Sequence, residues 1–363
     1  MSRYARSALL SVATSIVLAA CGGSQPSSAP PPAAATSEAS APGAHIYVSD
    51  ETGGNVLVVD TDKGTLVEKI AVGKRPRGIK LSADGKQLFV ALSGSPIAGP
   101  GVDESKLPPA DRSADGIGVV DIATRAVVRK LKSGQDPESF AISPDGKTIF
   151  VSNEETSEMS VLDIVSGEVT ARVKVGEEPE GVTVRPDGKE VYVTSEGENA
   201  VFAIDTTTNK VVAKMETSAR PRAVVFTPDG ATAFVSNENG GAVTVIDTAK
   251  HAVTATIKFT PPPGAQIPPR PMGLALSADA KQLFVSLGRA KSVAVIDTTT
   301  NQILRTMDDV GARPWGIGLS RDGRQLYTAN GPSADVSVVD INTGKVDKRI
   351  ATGGSPWGIA IPR

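Results

Sequence analysis

The chain has 363 residues, of which 40% are hydrophobic and 21% are charged, a composition that suits a large folded core and not a disordered chain. Its 38 basic and 40 acidic residues nearly balance, so no overall field favours nucleic acid. One cysteine and two histidines exclude an intrachain disulfide, an iron–sulfur cluster and a histidine-rich metal centre.

The N-terminal residues have the pattern of a secretion signal. Arg3 and Arg6 precede an apolar run over residues 9–20, which is too short to span a bilayer comfortably. The run ends in Leu-Ala-Ala-Cys21 and resembles the lipobox of bacterial lipoproteins, in which the signal is removed and the cysteine carries the lipid. We therefore predict a signal peptide at 1–20 and a lipid anchor at Cys21. An ordinary signal peptide with an incidental cysteine is the alternative.

The residues that follow predict a tether. Gly22 stands where many lipoproteins of the inner membrane carry Asp, so the resemblance favours an outer-membrane anchor that faces the periplasm or the exterior. Residues 21–43 are rich in Ser, Pro and Ala and lack core-forming side chains, which indicates a flexible, partly extended segment. Residues 44–363 are predicted to form one globular domain.

That domain is repetitive, because three markers each occur seven times. An aromatic residue lies within a short apolar run at Tyr47, Phe89, Phe150, Tyr192, Phe234, Phe284 and Tyr327. An aspartate ends a Val/Ile run at Asp60, Asp121, Asp163, Asp205, Asp247, Asp297 and Asp340. A proline precedes another apolar run at Pro76, Pro137, Pro179, Pro221, Pro271, Pro314 and Pro356. A repeat of about 42 residues is typical of propeller blades and other repeat architectures.

Each repeat predicts four strands. Period-two alternation, β-branched residues and Asp-Gly or Asn-Lys turns every 8–12 residues or so indicate antiparallel hairpins. We therefore predict an all-β, seven-bladed β-propeller with four-stranded antiparallel blades. The domain opens at His45 on a second strand and closes from Pro356 on a first strand. The C-terminal strand should thus join the N-terminal three in one blade and close the ring.

Several segments carry a resemblance to a known family. The strings at 74–78 (KRPRG), 142–146 (ISPDG), 192–195 (YVTS) and 243–247 (VTVID) resemble the YVTN-type β-propeller repeat. The segments at 133–146, 175–182, 219–222, 236–247 and 327–340 are similar to β-propeller proteins associated with pyrroloquinoline-quinone-dependent alcohol catabolism. The resemblance implies the propeller fold and an association with that catabolism, and it implies no quinone bound by this chain. No cofactor is predicted.

Strand order fixes which loops share a face. Antiparallel alternation places the entry to each first strand and the loop between the second and third strands together, on a face that we call the top. Two insertions, within 94–114 and 259–269, should both emerge there. Long loops on a rigid scaffold are often functional, although propeller loops also tolerate insertions without consequence.

The entries to the first strands predict a ring of charged and aromatic residues at the mouth of the central channel. Its candidate ligand-binding members are Arg75, Arg77, Glu138, Glu180, Arg220, Arg222, Arg270, Arg313, Trp315 and Trp357. Arginines beside a tryptophan face suit a carboxylate, a phosphate or a planar anion. Alternatively, the charges pair across blades and seal the mouth. A divalent metal on Glu138 and Glu180 is a further alternative, which the surrounding arginines oppose, so no metal site is predicted.

These observations favour a membrane-anchored binding or scaffolding protein over an enzyme. No Ser–His–Asp arrangement or phosphate-binding glycine loop is evident, and His45 and His251 are placed away from the channel. No catalytic residue is assigned, and the chain is expected to be a monomer that binds an anionic small molecule or a protein segment. The alternative is a lactonase- or lyase-like enzyme that uses a metal or carboxylates at the mouth. Nucleic-acid binding is not expected.

Overall fold

Seven four-stranded antiparallel sheets form the domain in the computed structural model, which describes residues 45–97, 106–261 and 268–362. Blade 1 consists of the C-terminal strand and the first three strands of the domain, as the sequence predicted. The other blades each use four consecutive strands, and we number them 2 to 7 in chain order. The predicted signal peptide at 1–20, Cys21 and most of the tether at 21–43 lie outside the described residues.

The strands fall into four layers from the channel outward. The first strands are β4 (Pro76–Leu81), β8 (Pro137–Ile142), β12 (Pro179–Val184), β16 (Pro221–Phe226), β20 (Leu274–Leu276), β24 (Pro314–Leu319) and β28 (Pro356–Ala360). The second strands are β1 (His45–Asp50), β5 (Gln87–Leu92), β9 (Thr148–Asn153), β13 (Glu190–Ser195), β17 (Thr232–Asn237), β21 (Gln282–Ser286) and β25 (Gln325–Asn330).

The two outer layers follow the same order of blades. The third strands are β2 (Asn55–Asp60), β6 (Gly116–Asp121), β10 (Glu158–Asp163), β14 (Ala200–Asp205), β18 (Ala242–Asp247), β22 (Val293–Asp297) and β26 (Asp335–Asp340). The fourth strands are β3 (Thr65–Ala71), β7 (Ala126–Leu131), β11 (Val169–Lys174), β15 (Lys210–Glu216), β19 (Ala252–Lys258), β23 (Gln302–Met307) and β27 (Val346–Ala351). Short 3-10 turns lie at Glu154–Thr156 and Gly288–Ala290.

The hydrophobic core lies between neighbouring blades. The described residues form seven buried clusters, each made by two adjacent sheets. The seven marker aromatics are all buried in these clusters or beside them. One cluster joins Ile46 and Val48 of blade 1 to Tyr327 and Val338 of blade 7, and it therefore closes the ring by apolar burial. The fourth strands β3 and β27 alternate exposed and half-buried side chains because one of their faces meets solvent.

The strand-end aspartates hold the turns between the third and fourth strands, on the face opposite the top. In all seven blades the carboxylate accepts a hydrogen bond from the backbone N–H three residues later. Asp205 shows the pattern: it accepts from the N–H of Thr208 at 2.7 Å and from the Thr208 hydroxyl at 2.9 Å. These Asx turns are local structure and leave the top face free for another role.

The insertions are where the sequence placed them. The first joins β5 to β6 and the second joins β19 to β20, which are top-face connections; residues 98–105 and 262–267 lie outside the described part of the chain. Within 45–97, 106–261 and 268–362, no helix has the length and apolarity needed to cross a membrane.

Candidate functional site at the channel mouth

A β-bulge at the start of the first strand positions the site in six of the seven blades. In blade 4, Glu180 and Gly181 of β12 lie opposite the single residue Thr194 of β13, because the register shifts between Pro179 and Val182. Blades 1, 2, 3, 5 and 7 have the same shift. A bulge bends its strand and re-aims a side chain, and bulges are frequent beside functional sites. In these six blades the residue that follows the proline lies in the bulge. We call the residue after the proline in each of the seven blades the mouth residue.

Hydroxyl groups of the second strands fix the bulges across blade boundaries. Thr194 accepts a hydrogen bond from the N–H of Gly181 at 2.8 Å and donates one to the carbonyl of Arg222 in blade 5 at 3.0 Å. Five blades supply such a donor to the next blade: Ser49, Ser152, Thr194, Ser236 and Ser286. Blades 2 and 7 carry Ala91 and Ala329 at this position. Each hydroxyl therefore sets the backbone of a mouth residue in its neighbour.

Small residues let the first strands approach one another. The residue after each mouth residue is Gly78, Ser139, Gly181, Ala223, Gly273, Gly316 or Gly358. A Cβ on Gly181 would lie 2.1 Å from the carbonyl oxygen of Arg222, and one on Gly273 would lie 2.3 Å from that of Trp315. The close backbone contact keeps the channel narrow and the mouth residues adjacent.

The side chains of the mouth residues form an amphipathic ring. In order around the channel they are Arg77, Glu138, Glu180, Arg222, Met272, Trp315 and Trp357. Four consecutive blades supply two arginines flanking two glutamates, and the other three supply apolar and aromatic surface. The mouth therefore has a charged wall on one side and an indole wall on the other.

Arg222 is the centre of one ion-pair network. Its Nη1 lies 3.1 Å from Glu180 and 2.5 Å from Glu196, and its Nε lies 2.8 Å from Glu238. Arg220 contacts the same two loop glutamates, Glu196 at 2.7 Å and Glu238 at 3.5 Å. These pairs join blades 4 and 5, which is the cross-blade pairing that one interpretation of the sequence predicted.

Arg77 is the centre of the second network. It contacts Asp136 at 2.8 Å and also pairs with Glu138. Arg75 lies 3.0 Å from Glu51 and 3.8 Å from Asp136. Arg77, Asp136 and Glu138 are buried, so this network, like that of Arg222, is shielded from solvent.

The aromatic wall is a stacked tryptophan pair. The ring centroids of Trp315 and Trp357 are 5.9 Å apart with an interplanar angle of 22°. The guanidinium of Arg313 lies 4.3 Å from the Trp315 centroid, and that of Arg222 lies 5.4 Å from it. Such cation–π contacts hold both arginines at the edge of the channel. Arg313 is partly exposed, and its nearest carboxylate, Glu238, is 3.9 Å away.

The channel below the mouth is an open cavity of about 220 Å³. Glu180, Arg222, Met272, Trp315 and Trp357 line it together with aliphatic residues and glycines of the first strands and the polar residues Lys80, Ser139 and Thr183.

Burial and charge shift the acidity of the mouth carboxyls in opposite directions. Burial raises the pKa of Glu196 to about 8, against the opposing effect of Arg222. Burial also raises the pKa values of Glu138 and Glu180. For Glu238, burial is outweighed by Arg222, Arg220 and Arg313, so its pKa lies below the usual value. Titratable groups with opposed shifts in one cavity are a common property of functional sites.

In five blades the residue directly before the proline has an unusual backbone conformation. Arg75, Asp136, Glu178, Arg220 and Arg313 have φ values of 46–59°, in the left-handed region. A residue with a Cβ adopts this region at a cost of roughly 1–2 kcal/mol, which glycine avoids. Charged side chains thus occupy a turn position that glycine would fill with less strain.

One carboxylate cluster has metal-like spacing. Ligand atoms of Asp136, Glu138 and Glu154 lie within 4.8 Å of one another. It differs from the pair considered from the sequence, Glu138 with Glu180. The guanidinium of Arg77 already contacts Asp136 and Glu138 and supplies positive charge there.

Nine of the ten predicted residues lie in these two networks and the aromatic wall. Arg270 lies apart from them and pairs with Asn239 of a neighbouring loop. The five hydroxyl donors of the second strands were not singled out by sequence reasoning. A repeat-aligned comparison of the second strands would have shown Ser or Thr at that position in five blades and Ala in two.

Fold and site together define the class: a seven-bladed β-propeller whose channel mouth carries an amphipathic ring of side chains. The chain belongs to the choice-of-anchor I domain family, whose model matches residues 33–214, about half of the sequence. No curated protein sequence matches the chain.

Solved structures share the fold at low sequence identity. The chain is similar to Kuenenia stuttgartiensis hydrazine synthase, with 23% identity, a TM-score of 0.69 and coverage of 82% of this chain and 92% of the other. It is similar to the Pseudomonas aeruginosa periplasmic gluconolactonase PpgL, with 20% identity, a TM-score of 0.70 and coverage of 88% and 99%. It is also similar to a putative 6-phosphogluconolactonase from Bacteroides uniformis, with 16% identity, a TM-score of 0.69 and coverage of 87% and 99%. At these identities the likeness concerns the fold.

Proposed function

We propose that the chain is a binding protein whose channel mouth takes an anionic ligand with a flat apolar part. Arg313 is the observation that carries this proposal. Burial and the neighbouring Arg222, Arg289 and Arg220 lower its pKa, and Glu238 opposes them only in part. Arg313 is partly exposed, lies 4.3 Å from the Trp315 centroid and has its nearest carboxylate 3.9 Å away, so an anion could pair with it while a flat ring contacts the tryptophan wall.

The two tryptophans provide a direct assay, because Trp315 and Trp357 are the two tryptophans of the chain. Benzoate, a flat anion, should quench their fluorescence with saturation, and the neutral benzamide should bind more weakly by about tenfold or more. Arg313→Gln should remove this preference for the anion. Arg349→Gln, on the outer strand of blade 7, is the matched control and should bind as the wild type does. Equal affinities for benzoate and benzamide would overturn the proposal.

A second candidate function is hydrolysis of a lactone. Glu180 lines the cavity beside Arg222, and burial raises its pKa, as suits a carboxyl that acts as a general acid or base. Two proteins that share the fold are named as a gluconolactonase and a putative 6-phosphogluconolactonase. Hydrolysis of glucono-lactone that Glu180→Gln abolishes and Glu198→Gln preserves would support this candidate. Wild-type protein without activity above the spontaneous rate would exclude that substrate.

We also propose that lipid on Cys21 anchors the protein to a membrane, with the propeller in the periplasm or outside the cell. The lipobox-like sequence and the tether support this, and a protein that shares the fold is named as periplasmic. The wild type should partition into the membrane fraction and label with radioactive palmitate. Cys21→Ser should do neither; an unchanged membrane fraction would argue against the anchor.

The resemblance to propellers associated with pyrroloquinoline-quinone-dependent alcohol catabolism supports a role beside a quinoprotein dehydrogenase. A strain that lacks this chain should then grow more slowly on alcohols as carbon source and normally on glucose. Equal growth on both sources would remove the association and leave the binding proposal standing.

A further inference from the structure

The mouth has more carboxylates than arginines. The arginines among the described residues of the two networks are Arg75, Arg77, Arg220, Arg222 and Arg313. The carboxyls around them are Glu51, Asp136, Glu138, Glu154, Glu180, Glu196 and Glu238. With these groups ionised, the two networks would carry more negative than positive charge and would repel an anion, although Arg289 near Arg313 and Lys80 in the cavity wall add positive charge outside them.

At Arg222, carboxylates already occupy the guanidinium that an incoming anion would use. Glu180 and Glu196 share its Nη1, and Glu238 occupies its Nε. An anion that reaches Arg222 has to displace a carboxylate or meet one that has lost its charge. Displacement is costly, because Glu180, Glu196 and Glu238 are all buried and would remain close to the incoming anion.

We propose that the mouth binds its anion together with a proton on Glu196, so that the ligand enters as the equivalent of a neutral acid. This inference rests on the proposed function and adds its regulation by pH. Protonation removes the negative charge of Glu196, which otherwise competes with the ligand anion for Arg220 and Arg222. The proton stays on the carboxyl oxygen, and no covalent bond of the ligand changes.

Glu196 is well placed to hold that proton. It lies in the loop after β13 and faces Arg222 and Arg220 of blade 5, Glu180 of its own blade and Glu154 of blade 3. Burial favours the neutral form, and Glu180 and Glu154 oppose the lowering effect of Arg222 and Arg220. Its pKa of about 8 in the free protein supports the assignment.

The dependence on pH follows from the sign of this coupling. Below about pH 7 the carboxyl is already protonated and the affinity for benzoate should be constant. Above about pH 8 the proton must be taken up on binding, and the Kd should rise by up to tenfold per pH unit.

Tryptophan fluorescence titrations with benzoate from pH 6 to 9.5 test the proposal. Glu196→Gln mimics the protonated carboxyl and should give a Kd that does not change over this range. Glu198→Gln, in the same loop and paired with Lys214 at the surface, is the matched control and should keep the wild-type profile. Calorimetry of the wild type at pH 9 in two buffers of different ionisation enthalpy should show uptake of close to one proton.

The outcomes separate this inference from the proposed function. Binding with the same Kd at pH 7 and pH 9, or no proton uptake at pH 9, overturns the coupling and leaves the anion site intact. A wild-type profile in Glu196→Gln overturns the assignment to that residue. Absence of benzoate binding at every pH overturns the proposed function itself.

Discussion

The hydroxyl of Thr194 in blade 4 donates a hydrogen bond to the carbonyl oxygen of Arg222 in blade 5, over 3.0 Å. The same hydroxyl accepts from the N–H of Gly181, so one buried side chain ties together the bulge of its own blade and the mouth residue of the next. The position of the Arg222 guanidinium is therefore set from across a blade boundary. Stability and ligand affinity should be linked at this point.

Replacing Thr194 by Val tests that link. The change keeps the side-chain shape and leaves the Gly181 N–H and the Arg222 carbonyl without this partner, which should lower the free energy of unfolding by about 1–3 kcal/mol. Urea unfolding followed by circular dichroism measures the loss. Thr254→Val on the exposed outer strand β19 is the control, with an expected change within about 0.5 kcal/mol. Equal effects of the two variants would show that the bridge contributes nothing.

Gly181→Ala tests the close approach of neighbouring first strands. The added Cβ would lie 2.1 Å from the Arg222 carbonyl oxygen, which is backbone and cannot rotate away. We expect a loss of roughly 1–3 kcal/mol or more in thermal or urea unfolding. The corresponding residue of blade 5 is Ala223, and Ala223→Gly should cost about 1 kcal/mol or less. A wild-type melting temperature for Gly181→Ala would contradict the packing described here.

Arg222→Met tests the buried ion-pair network. Removing the guanidinium leaves Glu180 and Glu238, and above about pH 8 also the ionised Glu196, without their shared partner, which should cost about 3–5 kcal/mol at that pH. The cost should shrink as the pH falls, because the carboxyls then become neutral. Arg172→Met removes a surface pair at 3.9 Å and should cost about 1 kcal/mol or less. Similar losses in both variants would place the Arg222 network in a solvated environment.

The raised pKa of Glu196 predicts how stability depends on pH. The unfolded carboxyl titrates near pH 4.3, whereas the folded one titrates near pH 8, so the folded chain holds an extra proton between these values. The contribution of Glu196 to stability is complete below about pH 4.3 and is lost as the pH rises to about 8. The melting temperature of Glu196→Gln relative to wild type should therefore rise from pH 5 to pH 8 and then level off. A constant difference would show that the pKa of Glu196 is not raised.

Much of the fold followed from the sequence because its determinants are local or repeated. Strand alternation, the Asp-Gly turns and the strand-end aspartates each specify a short segment, and seven copies make the pattern unambiguous. Closure of the ring was also predictable, since a chain that begins on a second strand and ends on a first strand leaves two edges that can pair only with each other.

The repeat also identified which residues form the site, but it did not show which of them pair with one another. The position after each proline identified Arg77, Glu138, Glu180, Arg222, Trp315 and Trp357 as neighbours around one mouth. The sequence left open whether the arginines face a ligand or their own glutamates. It also gave no reason to separate Arg270 from the others.

The sequence by itself determined the number of blades, the order of their strands, the face that bears the long loops and the residue types that meet there. Only the tertiary structure decided that Arg77 and Arg222 are held by buried carboxylates, that Arg313 stacks on Trp315, and that Thr194 sets the backbone of Arg222. The physical reason is the distance along the sequence between the residues that interact. Turns and strands depend on residues a few positions apart, whereas these contacts join blades whose side-chain geometry and burial exist only once the ring has closed.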